Sequence, residues 1–130
     1  MSTCRLYAGF FLLAIGFLLF SCATPKPVLY NSEGGPLSIT EYEKLALAEY
    51  ENDRFENAIE VYQEIVAHYP GNNKALAWAN YEIGYCYWRL EDYENAGVYF
   101  RRVLNEFQEP AAGTLAGQML EKIEEEQEKK

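Results

Sequence analysis

The sequence predicts an all-α fold: a short helical-repeat array of two helix pairs, with one further helix closing the end. Three observations carry this expectation. After residue 40 the alternation expected of strands is missing, and residues that start and stop helices recur instead. One stretch of the chain repeats itself at an offset of 38 residues. A chain of 130 residues also matches the size of a single domain.

Residues 1–5 hold a single charge, Arg5, and residues 6–20 form an uncharged apolar run. Spanning a bilayer takes about 20 apolar residues, so this shorter run suits the core of a signal peptide. It ends in Leu19-Phe20-Ser21-Cys22. That ending resembles the lipobox of bacterial lipoproteins, with Leu three places before the Cys and a small residue just before it. Phe20 is bulkier than the residue usual at its place. The resemblance implies that residues 1–21 are a signal peptide and that Cys22 becomes the acylated first residue, carrying palmitate or a similar chain. Several acyl chains on one residue anchor stably, whereas one alone binds marginally. Ala23 after the Cys, in place of Asp, implies an outer-membrane anchor with the domain in the periplasm. An uncleaved anchor helix is the competing reading, because uncharged sequence continues to Pro25.

Residues 22–39 read as a tether to a domain at 40–130. Pro25, Pro27, Pro36 and the pair Gly34-Gly35 favour little regular structure, although Val28, Leu29 and Tyr30 offer apolar side chains for docking onto the domain. Thr40-Glu41-Tyr42-Glu43 has the form of a capping box and opens a first helix to about Asn52. Asp53-Arg54-Phe55-Glu56 has the same form and opens a second, which Pro70-Gly71 stops after Tyr69. Asn72 and Asn73 offer caps for a third helix to Leu90, and Asp92 for a fourth to Phe107. Pro110 suits the first turn of a fifth helix, which runs to Glu128.

The internal repeat organises these helices into units at about 40–71 and 74–108, with the closing helix at 110–128. Phe55-Glu56-Asn57-Ala58 matches Tyr93-Glu94-Asn95-Ala96, Leu45-Ala46 falls opposite Ile83-Gly84, and Tyr62 and Ile65 fall opposite Phe100 and Val103. This pattern resembles the tetratricopeptide repeat, with Pro70 and Tyr87 at two further signature places. Glu49 stands where an aromatic is usual, and Gln108 where Pro is usual. The offset exceeds the common repeat of about 34 residues, which puts the extra length near residues 71–76. With a lipobox in front, the architecture is also similar to outer-membrane assembly lipoproteins of the BamD type, which carry more repeats. Ala46, Gly84, Ala58 and Ala96 are small where helices must approach, and the large residues fill the gaps. Gly113 and Gly117 predict another close approach on the fifth helix, whose Leu115, Leu120 and Ile123 cover the end of the stack.

Composition excludes several functions. Twenty acidic residues against 11 basic give a net charge of −9, which opposes both nucleic-acid backbones and polybasic adhesion to lipid headgroups. Cys4, Cys22 and Cys86 are too scattered for a disulfide framework. His68 is the sole histidine, so there is no cluster for a transition metal. No glycine-rich loop joins a strand to a helix, so no nucleotide cofactor is expected. The carboxylates have helix-surface spacing, and no catalytic residue is singled out.

One feature exceeds what folding a surface helix requires. At about 100° per residue, Ile83, Gly84 and Tyr87 share one face of the third helix. Trp78, Tyr81, Tyr85 and Trp88 gather on the opposite face with Arg89 at its edge, and Leu47 and Tyr50 extend that stripe onto the first helix. The tetratricopeptide resemblance places the stripe on a concave surface that binds a partner protein or peptide segment, and Tyr and Trp dominate interface hot spots. The alternative is that neighbouring helices or the tether cover these rings. The expected function is a non-enzymatic, lipid-anchored adaptor of the cell envelope, with a role in outer-membrane protein assembly implied by the BamD-type resemblance. Self-association is one form the partnership can take. The second reading is a periplasmic enzyme, or a dedicated subunit of one.

Overall fold

The computed structural model describes residues 25–129; the signal-peptide segment, Cys4 and Cys22 lie outside them. Five helices follow in order: α1 (Ile39–Glu51), α2 (Phe55–His68), α3 (Asn73–Arg89), α4 (Tyr93–Glu106) and α5 (Pro110–Glu128). The described residues contain no strand, only an isolated antiparallel bridge between Tyr30 and Pro36. Each helix packs against the next, and α3 also meets α5. Among the described residues, no helix is long and apolar enough to cross a membrane.

Two helix starts differ from expectation. The cap of α1 is Ser38, not Thr40: its hydroxyl accepts from the Glu41 amide, and the Glu41 carboxylate accepts from the Ser38 amide at 2.8 Å. Ser38-x-x-Glu41 is itself a capping box, and starting there lets Ile39 pack against the core. The Ser38 hydroxyl also donates to the Glu41 carboxylate at 2.6 Å, and the two bonds the carboxylate receives, from the hydroxyl first and the amide second, hold it below its usual range. Asp53 does not cap α2 either. It adopts a left-handed backbone (φ 56°), and Arg54 takes the N-cap position without a side-chain bond. Reversing the chain within three residues requires such a conformation, which Asp tolerates better than most residues. Glu91 repeats the turn in the second unit (φ 58°), and in both copies the next amide bonds back to the preceding helix, Arg54 to Glu49 and Asp92 to Tyr87. Asn72 and Asp92 cap α3 and α4 as predicted, accepting from the Ala75 and Asn95 amides. Pro110 occupies the first turn of α5.

The long repeat offset has a simple origin. α1 has 13 residues and α3 has 17, so the second unit starts about one helical turn early. That added turn carries Ala75, which is buried in the core.

Two clusters make up the core. In one, Tyr42 and Ala46 of α1 and Ile83 and Cys86 of α3 pack around Phe55, Ala58, Tyr62 and Ile65 of α2. In the other, Ala77 of α3 and Ala96, Phe100 and Val103 of α4 meet Ala112, Ala116, Met119 and Ile123 of α5. α3 feeds both clusters, which is why its sequence carries two apolar stripes. The predicted close approach at Gly84 is real: an added Cβ there would sit 2.9 Å from Phe100 Cε1. The one predicted for the fifth helix lies elsewhere. A Cβ at Gly113 would make only ordinary contact, 3.8 Å from Leu104 Cδ2, and nothing is within 4 Å of one at Gly117; Ala112 and Ala116 are the buried small residues of this helix instead.

The segment before α1 is fastened to the domain and does not behave as a free tether. Tyr42 Oη donates to the Leu29 carbonyl at 2.9 Å, and Tyr69 Oη to the Leu37 carbonyl at 2.6 Å. Asn57 Nδ2 donates to the Pro25 carbonyl at 3.1 Å, and Lys26 pairs with Glu60 at 3.2 Å. Leu29 and Leu37 pack on the first cluster, while Val28 stays exposed. The prolines lower the entropy lost on ordering this strap, and these partners on α1 and α2 hold it in place.

Candidate functional site: a concave interaction face

The predicted stripe lies on α1 and α3, the first helices of the two units. The aromatic residues of α3 form a ladder along it. Trp78 meets Tyr81 edge-on at 5.9 Å, Tyr81 stacks on Tyr85 at 6.2 Å, and Tyr85 leans on Trp88 at 5.6 Å. Tyr50 joins from α1, 6.0 Å from Tyr85. All lie in the range where aromatic pairs attract. The structure thus brings the predicted stripe together, and it also shows what holds it. Trp78, Tyr81, Tyr85 and Trp88 each pack against the second core cluster and remain partly exposed. The Trp88 indole N–H is buried with no hydrogen-bond partner among the described residues, so the inner edge of that ring serves as packing. Leu47 is 50% exposed.

Arg89 is engaged within the chain. Its Nη1 donates to Tyr50 Oη at 2.6 Å and its Nη2 to Asp53 at 3.4 Å, and its guanidinium lies 4.5 Å from the centre of the Phe55 ring. These contacts tie the end of α3 to the α1–α2 turn, a cation–π brace between the units.

Beside the ladder, a cavity of about 280 Å³ opens among α1, α2 and α3. Leu47, Tyr62, Ile65, Ala75, Trp78 and Ala79 make its apolar lining, and Glu43 and Glu82 bring carboxylates to it. Burial pushes the Glu82 carboxyl above its usual range. The same cause raises the Tyr62 phenol, the Tyr81 phenol to about 12 and the Cys86 thiol to about 12. All three stay protonated at neutral pH, so none of them is an activated nucleophile.

Glu43 and Glu82 were not singled out from the sequence, yet a signal was present. Trp78, Glu82 and Tyr85 follow i, i+4, i+7, as do Glu43, Leu47 and Tyr50. Each aromatic stripe therefore has a carboxylate set into it. Glu49, where the repeat usually has an aromatic, is a different case. It is buried, with its carboxylate 2.6 Å from Arg54 Nε and 2.8 Å from Asn57 Nδ2. The Arg54 bond is the main cause holding it below its usual range. His68 ends α2 beside Glu64, with its ring edge-on to Tyr30. No group of three or more His, Cys, Asp or Glu side chains suited to a metal ion occurs among the described residues.

Fold and face together define a helical-repeat protein with a partly exposed aromatic ladder beside an open cavity. The chain belongs to the tetratricopeptide-repeat family, whose profile matches residues 37–109, more than half its length. Proteins built from these repeats are interaction scaffolds. Comparison with curated proteins and with solved structures gives no significant match.

Proposed function

We propose that this protein is a lipid-anchored, non-enzymatic adaptor of the bacterial cell envelope. Cys22 carries the acyl anchor in the outer membrane, the domain lies in the periplasm, and the concave face holds a partner protein in the course of outer-membrane protein assembly. One observation carries the binding role: the open apolar cavity beside an aromatic ladder, on the face that tetratricopeptide arrays use for partners. Leu47, Trp78, Tyr81 and Tyr85 form its contact surface, with Tyr50, Trp88 and Arg89 stiffening it from behind.

The strap adds a geometric consequence. Only Ala23 and Thr24 separate Cys22 from Pro25, whose carbonyl is already bonded to Asn57. Those few residues span roughly 10 Å at full extension, so an anchor at Cys22 holds the domain against the headgroups.

Two variants test the reading. Cys22→Ser should abolish acylation and leave a larger precursor that no longer co-floats with the outer membrane; wild-type migration and fractionation would exclude the anchor. A photo-crosslinker at position 47 should join the wild-type chain to one defined partner in intact cells. Tyr85→Ala should reduce that product by about tenfold or more. Because Tyr85 also packs, its melt must be recorded alongside. A product unchanged with Tyr85→Ala would move the binding surface elsewhere.

A further inference from the structure

The two carboxylates at the cavity, Glu43 exposed and Glu82 partly buried, differ from the buried Glu49. Glu49 is neutralised within the chain by Arg54 and Asn57. Glu43 and Glu82 have no ion-pair or hydrogen-bond partner among the described residues, although Glu82 is partly buried. For Glu82, keeping a charge there is costly unless a cation joins it, and the exposed Glu43 adds a second carboxylate at the mouth of the same cavity. The surrounding walls are apolar, and one of them is the Trp78 ring.

We propose that this cavity is a pocket for one cationic side chain, an Arg or Lys of an extended partner segment, flanked by apolar residues. The long aliphatic stem lies along Leu47, Ile65 and Ala79, and the charged head reaches Glu43 and Glu82, as such side chains commonly divide between apolar walls and polar ends. Arg fits better than Lys, because its planar guanidinium also stacks on an indole face such as that of Trp78. Burial raises the Glu82 carboxyl, and an arriving cation would reverse that effect. The chain's net charge of −9 adds long-range attraction for a basic segment. The proposal rests on the concave face being the docking surface, and names the chemistry it selects.

The test uses the full chain in detergent micelles, isotopically labelled, titrated with a short peptide bearing one Arg between leucines. A second peptide replaces Arg with the neutral isostere citrulline, and a third with Glu. The Arg peptide should shift the amide signals of Ala75, Trp78, Ala79 and Glu82. The citrulline peptide should bind about tenfold more weakly, the Glu peptide weaker still, and Glu82→Gln should erase the preference for Arg over citrulline. Glu82→Gln removes a partly buried, unpaired charge, so its melt should match or exceed wild type, which keeps folding out of the result. Equal binding of the Arg and citrulline peptides at the cavity overturns the cation assignment and leaves the face as a docking surface. No shift from any peptide, or shifts confined to other helices, overturns both.

Discussion

Two glycines in successive helices predict opposite responses to the same substitution. In Gly84→Ala the new Cβ would stand 2.9, 3.1 and 3.2 Å from three atoms of the Phe100 ring. That ring is fully buried and leans on Tyr81 at 5.7 Å, so relief requires shifting α3 against α4. Overpacking of this kind costs about 1–3 kcal/mol. In Gly97→Ala the nearest atoms are the guanidinium nitrogens of Arg101, at 3.1 and 3.3 Å, the far end of an exposed side chain that can swing away. Both changes gain the helix preference of Ala over Gly, about 0.5–1 kcal/mol. That gain is common to the pair and cancels in their difference. Gly97→Ala should therefore stabilise by about 0.5–1 kcal/mol, and Gly84→Ala should lie about 1–3 kcal/mol below it. For a domain of this size each kcal/mol shifts the melting temperature by about 4–8 °C, so a thermal melt followed by circular dichroism resolves the two. Equal shifts in the same direction would show that α3 and α4 are not in close contact at Gly84, and would undo the packing argument for the second unit.

Two further predictions concern the core and the buried Glu49–Arg54 ion pair. Ala96→Glu places a charge at a fully buried position in the second core cluster, and should cost about 3–5 kcal/mol; a variant as helical and stable as wild type would contradict the repeat alignment. Glu49→Gln should cost about 2 kcal/mol at pH 7 by urea unfolding, because it removes the charged acceptor of Arg54 and Asn57. Glu49 has a folded pKa below its ordinary value near 4.5, so its contribution is present above that pH and is lost as pH falls through the folded value. The gap between wild type and Glu49→Gln should therefore close in acid, and a gap independent of pH would mean that the ionised form contributes nothing.

Much of the scaffold was legible in local sequence because local bonds and near neighbours decide it. Asn72 and Asp92 cap helices through amides three residues ahead, and Pro70-Gly71 ends α2 without reference to anything distant. The small residues of the repeat, Ala46, Ala58, Gly84 and Ala96, mark helix crossings because only small side chains let two backbones meet. Even the carboxylate that replaces an aromatic at position 49 was visible as a departure, although its partners were not.

Other features depended on where distant parts of the chain come to rest. Thr40 and Ser38 both open sequences of capping form, and burial of Ile39 against the core favours the earlier start. Asp53 was read as a cap by its spacing, but the geometry of the reversal into α2 turned it to a left-handed backbone facing Arg89. A Pro- and Gly-rich segment reads as a free tether until the hydroxyls of Tyr42 and Tyr69 bind its carbonyls. The second stripe of α3 is the sharpest case. Periodicity alone gives its direction and composition, while the return of α5 determines how much of each ring is covered and what remains open beside Glu43 and Glu82. Helix formation is written in neighbours a few residues apart; the shape of the aromatic face and its cavity is set by contacts between residues far apart in the chain, which no local pattern encodes.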